Sequence, residues 1–245
     1  MRLPADSSPL KAVLWDMDGT IVDTEPYWIA AERALVEEHG GTWSHDQAMQ
    51  LVGQSLTFSA GLLQEAGVEL EIRDIIDTLT GSVVSSVQRQ VPWRPGAREL
   101  LEELHIAGVR CALVTMSEGP LARQVVASLP RQYFEVLVTG DTVAQGKPHP
   151  EAYLTAVEWL QEADPDLALH HCVALEDSVP GVSAAVASGV ATVAIPHIVP
   201  LPEDKRYTLW DSLAGRTVAD LESLLPGGQG LHGFVDAARP FGDHR

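Results

Sequence analysis

Asp16 and Asp18 stand two residues apart at the end of an apolar run over 12–15, with Gly19 and Thr20 directly after them. Side chains two apart in extended chain leave the same face, so both carboxylates can converge on one site. Burying them together costs free energy unless a cation, or a proton on one of them, relieves the repulsion. Other apolar runs end in a similar way. Residues 109–114 lead into Thr115, Met116 and Ser117, residues 134–138 lead to Asp141 and nearby Lys147, and residues 172–175 lead into Glu176 and Asp177. The set suits phosphoryl transfer, which needs an in-line nucleophile, a proton donor for the leaving oxygen and positive charge around the phosphoryl oxygens. A carboxylate such as Asp16 can attack phosphorus and form an acyl phosphate, with Asp18 as the acid and base. Carboxylate and phosphate repel each other, so a divalent cation is called for, and Asp16, Asp177 and Glu176 offer the hard oxygens that Mg²⁺ prefers. Lys147 adds a point charge, and the Thr115 hydroxyl with the neighbouring backbone N–H at Met116 can hold phosphoryl oxygens.

Each residue taken singly has a plainer reading. Asp16 and Asp18 before Gly19 fit a turn, and Lys147 before Pro148 fits a surface turn. Glu176, Asp177 and Ser178 before Pro180 fit a helix N-cap, as Thr115 and Ser117 fit capping hydroxyls. The functional reading is favoured because four strand ends gather an acid pair and a lysine on one edge. In open parallel sheets, ligands sit beyond the carboxyl ends of the strands.

That edge exists only if the runs are strands of one sheet. Helical spacing alternates with them over 97–107, 120–129, 150–161 and 180–187. Such strand–helix units with short connections predict a doubly wound parallel sheet whose last strand is 191–195. A closing helix is expected over 217–225. Between the first strand and this alternation the pattern is helical, over 27–39, 44–51, 56–66 and 71–90. Thr24 or Asp23 can cap the first of these, and Gly81 with β-branched neighbours weakens the last. Two prolines and a glycine within 91–96 mark the return. The expected organisation is a catalytic core over 10–22 and 92–225, a helical cap over 23–91, an arm over 1–9 and a tail over 226–245.

A formal charge of -18 over 245 residues argues against a nucleic-acid partner. Lysine occurs only at Lys11, Lys147 and Lys205, so an anionic substrate must be drawn by a local cation or metal against an unfavourable field. No stretch approaches the roughly 20 apolar residues of a membrane helix, and the first ten residues hold no apolar secretory region. Cys111 and Cys172 are the only cysteines and make neither a zinc site nor a disulfide framework. A cytoplasmic monomer acting on a small molecule, with no membrane partner, is expected. The stretch from Gly228 to Gly233 fits G-x-G-x-x-G but follows no strand and opens no strand–helix–strand unit, so it is not read as a dinucleotide site. His170 and His171 read as a solvated loop, Trp15 and Trp28 as core or cap-lining residues, and His149 as a neighbour of Lys147 that could support the site.

Asp16-Met17-Asp18-Gly19-Thr20, Thr115 after an apolar strand, Gly146-Lys147-Pro148-His149-Pro150, and Glu176-Asp177-Ser178 with Gly181 resemble, in order, the four motifs of the haloacid dehalogenase superfamily. The helical insertion is similar to the small α-helical cap of its β-phosphoglucomutase-like branch, and the resemblance covers 11–225. It implies an α/β fold, a Rossmann-like core with the cap inserted after the first strand. It implies Asp16 as nucleophile forming an aspartyl phosphate, Asp18 as acid/base, and Thr115, Met116 and Lys147 as phosphate-binding groups. Mg²⁺ would be held by Asp16, the Asp18 backbone carbonyl and Asp177, with Glu176 in or near the shell. The chain departs from the mutases of that branch. Trp28 stands where they carry a histidine, no lysine lies between Lys11 and Lys147, and Gly53-Gln54-Ser55 lacks the arginine expected to follow, although Arg33, Arg73 or Arg89 could substitute. The missing lysine also disfavours phosphonoacetaldehyde hydrolysis, and Asp18 disfavours dehalogenation of haloalkanoates. The expected activity is Mg²⁺-dependent hydrolysis of a small phosphorylated metabolite, a sugar phosphate. The alternatives are a phosphomutase and a non-catalytic protein that binds a phosphometabolite.

Overall fold

Strand β1, Ala12–Trp15, is buried at every residue because it has a neighbour on both edges and helices on both faces. It pairs in parallel with β2 (Arg110–Val114) on one side and β4 (Cys172–Glu176) on the other. β3 (Phe134–Val138) lies beyond β2, and β5 (Ala191–Ala194) and β6 (Thr208–Leu209) lie beyond β4. The sheet order is β3-β2-β1-β4-β5-β6 with every pair parallel, the doubly wound, Rossmann-like α/β arrangement expected from the strand–helix alternation. The computed structural model describes residues 10–226. The arm expected over 1–9, the tail past Pro226 and the Gly228 to Gly233 run lie outside the described residues. No helix among the described residues is long and apolar enough to cross a membrane.

Alternation along the strands sends side chains to two separate cores. Val13, Trp15, Leu113, Val173 and Leu175 pack with apolar residues of α5 (Ala97–Ala107), α6 (Gly119–Ala127) and α9 (Val218–Glu222). Ala12, Leu14, Ala112, Val114 and Ala174 pack with α7 (Glu151–Gln161) and α8 (Val179–Ser188). Burial on both faces leaves no solvent side, which is why these strands read as continuous apolar runs. Sequence reading stopped at 191–195 as the last strand, and β6 corrects it. At two residues β6 is too short to show a period, and it is placed by the Trp210 N–H donating to the Ala194 carbonyl at 2.9 Å.

Between β1 and α5 the chain forms α1 (Glu25–Glu38), α2 (His45–Met49), α3 (Leu56–Glu65) and α4 (Ile72–Arg89). α4 is continuous through Gly81. Ile75, Ile76, Leu79, Val83 and Val87 are buried along it, and burying such side chains at about 1.5–3 kcal/mol each outweighs a glycine cost of about 1 kcal/mol. α4 packs on both α1 and α6, and at the α6 boundary Arg73 forks onto Glu118 with contacts of 2.6 and 2.8 Å. The outgoing and returning connections run side by side. Val22 and Trp93 form an antiparallel bridge, the Asp23 N–H donates to the Pro92 carbonyl at 2.8 Å, and the Arg94 N–H donates to the Ile21 carbonyl at 2.8 Å.

Gly96 starts α5 just after this return, at φ 83°. A Cβ there would lie 2.2 Å from the Leu213 backbone carbonyl. Gly96→Ala is therefore expected to lower stability by about 2 kcal/mol or more, from the left-handed backbone and the clash together. Urea unfolding checks this, and an unchanged midpoint would show that the α5 start can shift.

Candidate active site

The register of the sheet brings three strand ends level. Trp15 pairs with both Leu113 and Leu175, so Asp16, Val114 and Glu176 emerge side by side at the carboxyl edge. The loop after β3 carries Lys147 back across that edge. The Lys147 ammonium donates to Asp16 Oδ1 at 2.7 Å, to Glu176 Oε1 at 2.5 Å and to the Val114 carbonyl at 2.8 Å. Its three protons are thus all placed, and its side chain is only 4% exposed. The surface-turn reading of Lys147 is excluded.

Glu176 is the fixed point of this group. Its Oε1 also accepts from the Tyr153 hydroxyl at 2.6 Å, while Oε2 accepts from the Asp177 N–H at 3.2 Å and the Ser178 hydroxyl at 3.3 Å. Ser178 meanwhile caps α8 by accepting from the Gly181 N–H at 3.2 Å, so the capping and functional readings of this motif hold together. Asp16, Glu176 and Asp177 each offer an oxygen within 4.8 Å of the others. Asp16 Oδ2 is buried with no hydrogen-bond partner among the described residues. Hard oxygens around an orphaned buried carboxylate oxygen fit a divalent cation.

The electrostatics point the same way. Burial pushes Asp16 up to about 8, with Lys147 opposing and Glu176 adding to the shift. Asp177 is raised well above the usual carboxylate range by burial and then by Asp16 and Glu176. Burial by itself would lower Lys147, but Asp16 and Glu176 more than offset it and hold the ammonium charged. A lone ion pair would lower its acid as it raises its base. Here Asp16 rises as well, because one ammonium serves several buried carboxylates.

Asp18 occupies a different environment. Ser117 donates its hydroxyl to Asp18 Oδ2 at 2.7 Å, Thr115 donates to the same oxygen at 3.2 Å, and the Thr24 hydroxyl donates to Oδ1. Thr24 corrects the sequence reading. It precedes α1 but makes no side-chain cap, since a bond to a carboxylate is stronger than one to a neutral amide N–H. Thr115 also accepts from the Ser117 N–H at 3.0 Å, and the Lys147 N–H points at Met116 Sδ at 3.2 Å. Asp141 does not join the cluster. Its carboxylate ties the loop after β3 to α6, accepting from the Gly119 N–H at 3.1 Å and from Thr139 at 2.5 Å. His149 is turned away as well, accepting from the Glu151 N–H at 3.2 Å. Gly19 is required for close approach, because a Cβ on it would fall 1.9 Å from Asp177 Oδ2.

Asp16, Asp18, Thr115, Met116, Ser117, Lys147 and Asp177 open on one cavity of about 710 Å³, whose wall also includes Glu25, Trp28 and Glu32 of α1, while Glu176 lies buried behind it. Trp15 is a core residue, as expected, and Trp28 lines the cavity. Sequence reasoning named Ser117 at the strand ends without giving it a role, and left Thr24, Tyr153, Glu25 and Glu32 out of the site. Ser117 carried a signal, its place at the end of β2. Tyr153 sits among buried apolar positions of α7, which hid its hydroxyl.

A haloacid dehalogenase-like hydrolase family profile matches residues 13–195. The chain belongs to the haloacid dehalogenase-like hydrolases. Among its relatives in this family are named phosphatases. It is 32% identical over 189 residues to the phosphorylated carbohydrates phosphatase of Thermotoga maritima, covering 75% of this chain and 84% of that one. It is 34% identical over 194 residues to hexitol phosphatase A of Escherichia coli, covering 76% and 82%. The crystal structure of CbbY from Rhodobacter sphaeroides in complex with phosphate superposes with a TM-score of 0.78 at 27% identity, over 87% of this chain and 99% of that one.

Asp16 titrates higher in the folded chain than its ordinary 3.8, at about 8. Between those values the folded chain keeps a proton that the unfolded chain has released, so this group removes stability as pH rises through the window. In metal-free protein, the melting temperature of Asp16→Asn relative to wild type is expected to rise from pH 5 to pH 8. A divalent cation at about 100 times its dissociation constant is expected to raise the wild-type value by about 5–10 °C, more at pH 8 than at pH 5. Equal shifts at both pH values would remove Asp16 as the group that binds it.

Proposed function

We propose that this hydrolase is a Mg²⁺-dependent phosphatase of a small monophosphorylated metabolite, a sugar phosphate. The observation that supports it most is the division of four acids at one edge of the sheet. Asp16, Glu176 and Asp177 gather around Lys147, while Asp18 is held apart by hydroxyls. Two carboxylates two residues apart with different partners suit different roles.

In this reading Asp16 attacks phosphorus, forming the Asp16 O–P bond as the P–O bond to the leaving alkoxide breaks. Asp18 gives its proton to that alkoxide. Asp18 then takes a proton from water as the water oxygen attacks phosphorus, which breaks the Asp16 O–P bond and releases phosphate. Lys147 keeps Asp16 oriented and balances charge, and Thr115 and the Met116 N–H would hold phosphoryl oxygens. Asp16, Asp177 and the Asp18 backbone carbonyl would hold Mg²⁺ beside Glu176, and the bound ion would neutralise charge on the phosphoryl group. The helices over 23–91 act as a cap that excludes bulk water and admits substrate by moving on the paired connections at Val22 and Trp93.

Among the described residues lining the cavity, Lys147 is the only lysine or arginine, and Arg73 is engaged with Glu118 and Asp77. Among the described residues lining the cavity no further lysine or arginine is left to hold a second phosphate, and His197 is paired with Asp23, which favours a phosphatase over a phosphomutase.

Asp16→Asn is expected to cut phosphate release from p-nitrophenyl phosphate by at least about 10³-fold, and chelation of metal should do the same to wild type. Substantial turnover by Asp16→Asn would remove Asp16 as nucleophile. A hexose 1-phosphate should yield free phosphate, and accumulation of hexose 6-phosphate would establish the mutase instead.

A further inference from the structure

On the wall of the same cavity, α1 presents Glu25, Trp28 and Glu32, three and four residues apart and therefore on one helix face. Glu32 is only 4% exposed. One of its oxygens, Oε2, accepts from the Trp43 indole N–H at 3.1 Å, and the other has no hydrogen-bond partner among the described residues. Burial pushes Glu32 up to about 7, with Trp43 opposing, and burial followed by the charge of Glu32 pushes Glu25 up to about 8. Much of the remaining wall is apolar, including Leu51, Leu56 and Leu79. A buried carboxyl with a free oxygen and no countercharge is costly to retain, and donors on a ligand would satisfy it.

Resting on the phosphatase reading above, we propose that Glu32, with Glu25 beside it, determines specificity by accepting hydrogen bonds from hydroxyls on the body of the phosphate ester and rejecting a second anionic group there. The substrate class is then a monophosphate ester of a polyol or neutral sugar, and bisphosphates and phosphorylated carboxylic acids are excluded. Rejection follows from like charge above the values to which burial raises Glu32 and Glu25, where an extra anion meets carboxylates in a partly dry cavity and Lys147 is already saturated by Asp16, Glu176 and the Val114 carbonyl.

Glucitol 6-phosphate and 6-phosphogluconate test this directly, because they differ only in a terminal hydroxymethyl against a carboxylate. At about pH 9 with Mg²⁺ present, where both acids are ionised, wild-type kcat/KM is expected to favour glucitol 6-phosphate by about tenfold or more. Glu32→Gln keeps an acceptor for Trp43 and removes the charge, and it should narrow the ratio to about threefold or less. Equal wild-type values, or a ratio unchanged in Glu32→Gln, would overturn the proposal. If wild type hydrolyses p-nitrophenyl phosphate but neither compound is turned over or competes with it, the hydroxyl-accepting role fails while the phosphatase reading stands. If p-nitrophenyl phosphate is not hydrolysed either, the phosphatase reading fails and takes this one with it. Should Glu32→Gln not fold, the wild-type ratio still decides, and Glu25→Gln is expected to narrow it in the same direction.

Discussion

One buried ammonium holds this structure together at its busiest point. Lys147 reaches from the loop after β3 to Asp16 at the end of β1, Glu176 at the end of β4 and the last carbonyl of β2. Removing one partner of such a buried set costs about 3–5 kcal/mol, because the charges left behind have no water to fall back on. The contact therefore constrains the loop after β3 as strongly as it constrains the acids. It also leaves a deficit. Asp16, Asp18, Glu176 and Asp177 outnumber the single cation, and that imbalance is what makes the edge of the sheet receptive to further positive charge.

The two aspartates of the opening motif are separated by environment and not by distance along the chain. Asp16 is nearly buried at the cavity floor beside an ammonium. Asp18 faces three hydroxyls from two parts of the chain, Thr115 and Ser117 after β2 and Thr24 at the start of α1. Thr24 has a double position, at the first turn of the inserted helices and against the carboxylate assigned to move protons.

Most of the architecture was legible in the residues because burial on both faces writes itself as unbroken apolar strands, and short connections leave few topologies. The motif residues were legible because acids and a lysine at successive strand ends have no joint structural explanation. Other features had no such trace. β6 is fixed by position beside β5 and not by composition. Thr24 looked like a cap, and only the fold brings Asp18 within its reach. Asp141 looked like a site residue, yet its local bonds to Thr139 and Gly119 claim it first. Glu32 read as one charge among many on an amphipathic helix, and its burial depends on Trp43 from the following loop.

The paired connections carry a consequence for how such a chain can change. Because Val22 and Trp93 touch, the chain leaves and re-enters the core through one paired stem, and α4 packs back on α6 beside it. The closure cost of a segment grows only with the logarithm of its length. Residues between the two arms of that stem can be exchanged, lengthened or repacked without displacing β1 or α5, and the acid cluster at the sheet edge keeps its geometry. What the protein accepts and what it does to it are thus open to change at different rates within one continuous chain.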